Sequence, residues 1–150
     1  MKIKRTNSSD PDFIFLVKQL DLFLSDYNGD ADDFYREFNQ IKLDNCVIVY
    51  IDDQPVGCGA FKIIDTEIVE IKRMFTLPEF RNRNVGGTML EELEKWAFEI
   101  GYNTFILETG SQLYNAIKLY QKMGYKITDN YGQYKGNDKS VCFMKRKIAP

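Results

Sequence analysis

The sequence predicts a mixed α/β (α+β) fold, with a central, mostly antiparallel sheet of about six or seven strands and about four helices. Three observations lead to this fold class. Apolar, β-branched runs of strand length occur in both halves of the chain, stretches with helical apolar spacing separate them, and one strand is reached by crossing over a whole helix. No repeat or low-complexity linker interrupts the 150 residues, so we expect one domain over residues 1–150.

The first elements are a short strand and two helices. Residues 2–6 alternate as a strand does, and apolar residues over 13–24 recur at helical spacing behind a helix cap at Asp10 and Pro11. A polar turn then leads to a second predicted helix over residues 31–41.

The next three elements are strands. The β-branched run 46–51, the turn 52–55 and the apolar run 56–64 predict a hairpin. Residues 67–76 follow closely and are expected to extend the antiparallel sheet.

The second half returns to alternating helices and strands. Helical spacing over residues 85–100 ends at Gly101, and the strand at 104–109 is expected to pair in parallel with 67–76 because a helix connects them. The remaining predictions are a helix over 115–123 and closing strands over 125–130 and 140–148.

The composition excludes several classes of function. With 20 Lys and Arg against 22 Asp and Glu, the net charge of −2 gives no basic surface for nucleic acid or anionic lipid. The absence of histidine excludes Ser-His-Asp sites and histidine-ligated zinc, and the three cysteines form no paired motif, so we expect reduced, buried thiols and no metal. The chain shows neither the apolar core of a signal peptide nor a membrane-length apolar run, which predicts a soluble, cytoplasmic protein.

The passage from strand to helix over residues 74–88 has the features of an anion site. A helix amino terminus presents unpaired N–H groups, glycines such as Gly86 and Gly87 let a phosphate approach them, and Arg81 and Arg83 add positive charge. An ordinary surface loop, with the glycines serving helix packing, explains the same residues equally well.

This passage resembles the coenzyme loop of the GNAT superfamily of N-acetyltransferases, whose pattern is Arg/Gln-x-x-Gly-x-Gly/Ala. The pattern falls on Arg81, Asn84 and Gly86, with asparagine in place of the first glycine. Pro78-Glu79-Phe80-Arg81 is similar to the family's Pro-x-Tyr/Phe-Arg. The segment from Asn115 to Tyr125 is similar to its Asn-x-x-x-x-x-Tyr-x-x-x-Gly-Phe/Tyr.

The resemblance implies that the protein binds acetyl-coenzyme A. The pyrophosphate would bind main-chain N–H groups of the helix start, and the pantetheine arm would lie along the preceding strand where two strands part, with Asn115 contacting it. The coenzyme-binding residues implied in this way are Phe75, Thr76, Arg81, Asn82, Arg83, Asn84, Val85, Gly86, Gly87, Thr88 and Asn115.

The resemblance also implies two catalytic residues. Glu70 stands on the strand where many relatives carry a glutamate that takes a proton from the amine, although an ion pair with Lys72 would explain it equally well. Tyr120 matches the position whose phenol protonates the departing sulfur, and its alternative is a tyrosine that packs against Leu119 and Tyr125.

The implied function is transfer of acetyl from acetyl-CoA to a primary amine of a small or amino-acid-like molecule by direct attack. The alternatives are a catalytically silent coenzyme-binding module and a peptide or protein acetyltransferase, and the sequence leaves monomer and homodimer open. Two segments are candidates for the acceptor wall. One is the acidic cluster of Asp26, Asp30, Asp32 and Asp33, although such a cluster is more often a solvated turn that caps the next helix. The other is residues 130–136, which would lie over the acceptor mouth or at a subunit contact and are equally explained as a plain hairpin end.

Overall fold

A computed structural model describes residues 1–28 and 42–148 of the chain. The predicted helix at 31–41 and the acidic residues Asp30, Asp32 and Asp33 lie outside these ranges. Within them, no helix combines the length and apolar composition that crossing a bilayer requires.

One seven-stranded sheet forms the centre of the fold, in the spatial order β1-β2-β3-β4-β5-β7-β6. Every neighbouring pair is antiparallel except β4 and β5, which are parallel as predicted. The strands are β1 (Lys2–Thr6), β2 (Asn45–Ile51), β3 (Gln54–Ile63), β4 (Ile68–Thr76), β5 (Thr104–Gly110), β6 (Lys126–Thr128) and β7 (Ser140–Arg146). The predicted mixed fold is confirmed.

Three α-helices accompany the sheet in the described residues. They are α1 (Pro11–Asn28), α2 (Val85–Glu99) and α3 (Tyr114–Lys122), and short 3-10 turns occupy Pro78–Phe80 and Gly132–Tyr134. Asp10 caps α1 as predicted, because its Oδ1 accepts a hydrogen bond of 2.9 Å from the N–H of Asp12.

Both faces of the central strands are covered. Along β2, Cys46 and Ile48 pack under α1, whereas Val47 and Val49 face the core beneath α2. A strand with two buried faces needs no polar alternation, which explains the unbroken apolar run in the sequence. The three cysteines are free and buried in this packing, as expected.

The last two strands are shorter than predicted. Tyr125 lies in the core rather than in β6, and its hydroxyl donates a 2.8 Å hydrogen bond to Glu94. Asn130 lies in a turn, with its side-chain nitrogen 3.0–3.2 Å from the carbonyl oxygens of Tyr134, Asn137 and Ser140. These contacts are made across the chain, so local strand propensity does not predict where β6 ends.

Candidate active site

A cleft opens where β4 and β5 part. The two strands pair through residues 68–70 and 104–106 and then diverge, because β4 continues along β3 to Thr76 while β5 continues along β7 to Gly110. Beyond the paired residues, the edge of β4 over 71–76 has no strand partner on its β5 side in the described structure.

A β-bulge accompanies this divergence. Arg73 and Met74 together oppose Gly59 of β3, and Arg73 has a positive φ of 60°. A bulge bends its strand and increases the local twist, so it directs the end of β4 away from β5.

The cleft has a volume of about 1050 Å³. Its walls are β4 and β5, the second half of α1, the loop before α2, the first turns of α2, one face of α3, and Tyr134. Of the thirteen residues that the sequence singled out, the cleft brings together Glu70, Phe75, Thr76, Arg81, Asn82, Asn84, Val85, Gly86, Gly87, Asn115 and Tyr120.

The other two predicted residues, Arg83 and Thr88, lie beside this cleft and are not among its lining residues. The Arg83 guanidinium stacks 5.2 Å from the ring centre of Phe80. The Thr88 hydroxyl donates a 2.7 Å hydrogen bond to the Asn84 carbonyl, which closes the first turn of α2.

The loop before α2 has the backbone geometry that an anion site needs. Asn82 and Asn84 have positive φ angles of 65° and 60°, and Asn84 is the N-cap of α2 without a side-chain capping bond. The N–H groups of the first helical residues therefore have no acceptor within the helix and carry the positive end of its dipole. Asparagine tolerates the left-handed conformation, which explains how it can stand where the family pattern has glycine.

The two glycines at the start of α2 are tightly packed. A Cβ on Gly86 would lie 2.7 Å from Leu119 Cδ2 of α3, and one on Gly87 would meet Asn84 Oδ1. The packing explanation for both glycines is therefore supported. It is compatible with an anion site, because it involves the α-carbons and not the N–H groups.

Arg81 holds the loop against its surroundings. Its Nε donates a 3.2 Å hydrogen bond to the Thr76 carbonyl, and its guanidinium lies 5.7 Å from the ring centre of Phe23 and 5.9 Å from that of Phe75. The side chain thus ties the end of β4 to α1, and its predicted contact with the coenzyme stays a prediction.

Glu70 is buried at the base of the cleft and makes two polar contacts. Lys72 Nζ lies 3.6 Å from its Oε1, as the structural interpretation of this residue requires, and the Tyr131 hydroxyl donates a 2.7 Å hydrogen bond to its Oε2. The second contact brings the segment 130–136 to the cleft, where Tyr134 is a lining residue.

A second carboxylate, Glu108 at the end of β5, was missed in the sequence. Its Oε2 accepts a 2.6 Å hydrogen bond from the Ser140 hydroxyl, and the side chain lines the cleft. Burial has the largest effect and raises the pKa of Glu108, the hydrogen bond from Ser140 and the charge of Lys72 lower it, and the charge of Glu70 raises it; the resulting pKa is about 7. A single acidic residue in the apolar strand TFILET was the available signal.

Tyr120 makes the packing contacts of one interpretation and has the cleft position that the predicted catalytic role requires. Its ring is buried, with centroids 6.0 Å from Tyr125 and 5.8 Å from Phe143. Its side chain lines the cleft, and among the described residues its hydroxyl has no hydrogen-bond partner. Burial and the nearby charge of Glu108 raise the pKa of Tyr120, so the phenol stays protonated.

The described residues contain no group of three or more Cys, Asp or Glu side chains that could hold a metal ion.

Comparison with known proteins decides the family. The model of the acetyltransferase (GNAT) family matches residues 16–125, which include the loop, both carboxylates and Tyr120. The chain belongs to the GNAT family of acetyltransferases. An IAA acetyltransferase from Azospirillum brasilense is 33% identical to this GNAT protein over 137 residues, covering 89% of this chain and 88% of the relative.

Solved structures agree with the family. A Klebsiella pneumoniae protein described as an acyl-CoA N-acyltransferase has a TM-score of 0.82 at 26% identity, covering 97% of this chain and 96% of its own. A GNAT acetyltransferase from Elizabethkingia anophelis, solved with acetyl-CoA bound, has a TM-score of 0.70 and covers 97% of each chain; its 20% identity supports the fold alone. The predicted family and the predicted acetyl-CoA-dependent N-acetyltransferase activity are confirmed. The roles of single residues remain predictions.

Proposed function

We propose that this GNAT protein, acting as one domain over residues 1–150, transfers acetyl from acetyl-CoA to a primary amine of a small or amino-acid-like acceptor. One observation carries the proposal: a single cleft contains an uncapped helix amino terminus, an open strand edge and a group of acid–base side chains. The name of the Azospirillum relative, an IAA acetyltransferase, supports a small acceptor.

The cleft suits acetyl-CoA in shape and in donor groups. The unpaired N–H groups of Val85, Gly86 and Gly87, oriented by Asn84, would hold the pyrophosphate. The open edge of β4 at Phe75 and Thr76 would pair with the amides of the pantetheine arm as an added strand does. Asn115 is exposed on the first turn of α3 and lines the same cleft, which supports its contact with the arm.

The acid–base groups supply the proton transfers that acetylation requires. When bound, acetyl-CoA supplies an acetyl group already activated as a thioester. The nucleophile has to be a neutral amine. A carboxylate of the cleft, Glu70 or Glu108, therefore takes a proton from the ammonium form of the acceptor. The protonated phenol of Tyr120 holds the proton that the departing sulfur needs.

A direct screen tests the acceptor class. Purified protein is incubated with acetyl-CoA and, separately, with monoamines, diamines, amino acids and short peptides, and released coenzyme A thiol is measured. We expect release with at least one small primary amine, with the N-acetyl product confirmed by mass spectrometry. Release with peptides alone would contradict the small-molecule assignment and favour a peptide acetyltransferase.

A further inference from the structure

We propose that Glu108, rather than Glu70, accepts the proton of the acceptor amine. The inference rests on the proposed function, because it assigns one step of that reaction. It changes the assignment that the family resemblance implies for Glu70, and it is based on the surroundings of the two carboxylates.

Both oxygens of Glu70 are engaged by other parts of the protein. Lys72 Nζ is 3.6 Å from Oε1, and the Tyr131 hydroxyl donates to Oε2 over 2.7 Å. Glu70 and Lys72 are each at most 9% exposed, so the pair is shielded from water. A carboxylate with one oxygen beside a buried ammonium and the other accepting from a half-buried phenol offers neither oxygen to a substrate without losing one of these contacts. Glu70 thus fits the role of a positioning residue, which fixes the segment carrying Tyr131.

Glu108 keeps one oxygen available. Ser140 donates to Oε2, whereas Oε1 has no hydrogen-bond partner among the described residues. Glu108 lies at residue 5 of the seven residues of β5, two positions past the last residue paired with β4, and therefore where the strands have begun to part. A substrate in the cleft can reach this carboxylate from the side that Ser140 leaves open.

The groups facing Glu108 come from every element that surrounds it. They are Glu70 and Lys72 from β4, Tyr120 from α3, Tyr134 from the turn before β7, and Ser140 and Cys142 from β7. Among those that perturb it, Glu70 raises the pKa of Glu108, while Ser140 and Lys72 lower it; burial has the largest effect, and the resulting pKa is about 7. A general base works best when its pKa is near the operating pH, so these surroundings suit the task.

The proton balance of the step is complete. One N–H bond of the acceptor ammonium breaks, its electron pair stays on nitrogen, and the proton goes to Glu108 Oε1. As the nitrogen–carbon bond forms and the carbon–sulfur bond breaks, Tyr120 gives its proton to sulfur. The nitrogen loses a second proton to the Tyr120 oxygen, which restores the phenol. Glu108 then returns its proton to solvent through the open cleft.

Matched isosteric variants separate the two carboxylates. With the best amine from the screen, kcat/KM of the wild type is expected to rise with pH through about 7, the pKa of Glu108, and then to level off. Glu108→Gln should lower kcat/KM at pH 7 by about 100-fold or more. It should also abolish this levelling, because kcat/KM then rises with the fraction of acceptor amine that is already deprotonated in solution. Glu70→Gln should keep the profile but move it to lower pH, because a nearby negative charge is lost. Ser140→Ala should move it to higher pH, because a hydrogen bond to the carboxylate is lost.

A second measurement does not depend on the acceptor. In protein labelled with carbon-13 at the glutamate side-chain carboxyls, one resonance should titrate with a midpoint near pH 7. It should be absent in Glu108→Gln and present in Glu70→Gln with its midpoint moved to lower pH. If Glu70→Gln abolishes the levelling of kcat/KM while Glu108→Gln retains it, or if both variants retain it near pH 7, the proposal is overturned.

The two proposals fail in different ways. If no small amine releases thiol, the acceptor class is wrong, and the carboxyl titration still decides the present inference. A Glu108 resonance with its midpoint below pH 5 would contradict it, because such a group is a weak base at neutral pH, whereas a midpoint near pH 7 supports it.

Discussion

The unusual ionisation of Glu108 should be visible in the stability of the folded protein, without any substrate. Glu108→Gln keeps the shape of the side chain, and its amide oxygen can still accept the hydrogen bond from Ser140. The variant removes the titrating charge from the cleft, so the difference in the free energy of unfolding between the two proteins should depend on pH.

The size and sign of this difference follow from the pKa. Folding raises the pKa of Glu108 from 4.5 to about 7, and the difference of 7 − 4.5 = 2.5 corresponds to about 3 kcal/mol. Because the folded pKa is above the unfolded one, the stability linked to the protonated carboxyl is fully present below pH 4.5 and is lost as the pH rises through 7. Glutamine does not titrate. The variant should therefore gain about 3 kcal/mol relative to the wild type between pH 4.5 and pH 8.

Urea unfolding at several pH values, followed by the fluorescence of the single tryptophan, measures this difference. Trp96 lies on α2 and packs edge-on against Phe61 at 5.6 Å, so its emission reports loss of the core. Glu91→Gln, on the exposed face of the same helix, is the matched control and should give a difference that is flat with pH. A Glu108→Gln difference that also stays flat would refute the reasoning, because Glu108 would then ionise near its ordinary pH.

The remaining predictions concern the coenzyme loop and the phenol. Tyr120→Phe keeps the packing of the ring and loses the acid, so kcat should fall about 10-fold to 1,000-fold while calorimetry shows nearly unchanged coenzyme A affinity; wild-type turnover would remove Tyr120 from the mechanism. At Asn84, with φ of 60°, glycine should retain binding, whereas valine should weaken it by about one to two powers of ten; equal binding by Asn84→Val would contradict a strained anion loop. Gly86→Glu should abolish coenzyme A binding, and it should be tested beside Leu119→Ala, which clears the space that its Cβ enters; binding retained by the folded double variant would contradict the phosphate site.

Elements defined by local patterns could be predicted closely from the sequence. The predicted strand 2–6 is β1, and the predicted start of α2 at Val85 is the observed one. The parallel pairing of β4 with β5 could be predicted because an intervening helix demands a crossover. The positive φ at Asn84 likewise follows from the chemistry of asparagine at a loop position where the family has glycine.

Features that arise from contacts between distant residues could not be predicted. Nothing local marks Arg73 as the bulged residue of β4, and Asn130 leaves the predicted strand because its amide contacts carbonyls up to ten residues away. Glu108 was missed for the same reason. Its pKa depends on burial and on residues of β4 and β7, which a strand sequence does not reveal.

The divergence of β4 and β5 connects the two halves of the proposed site. If the strands stayed paired to their ends, β5 would occupy the edge of β4 over residues 71–76, and no main-chain groups would remain for the pantetheine arm. The cleft beside Glu108 would be lost as well, because the parting strands β4 and β5 form its walls. The bulge at Arg73 bends β4 where pairing stops, so one backbone irregularity both opens the strand edge and exposes the base. Coenzyme binding and proton transfer therefore depend on the same local geometry.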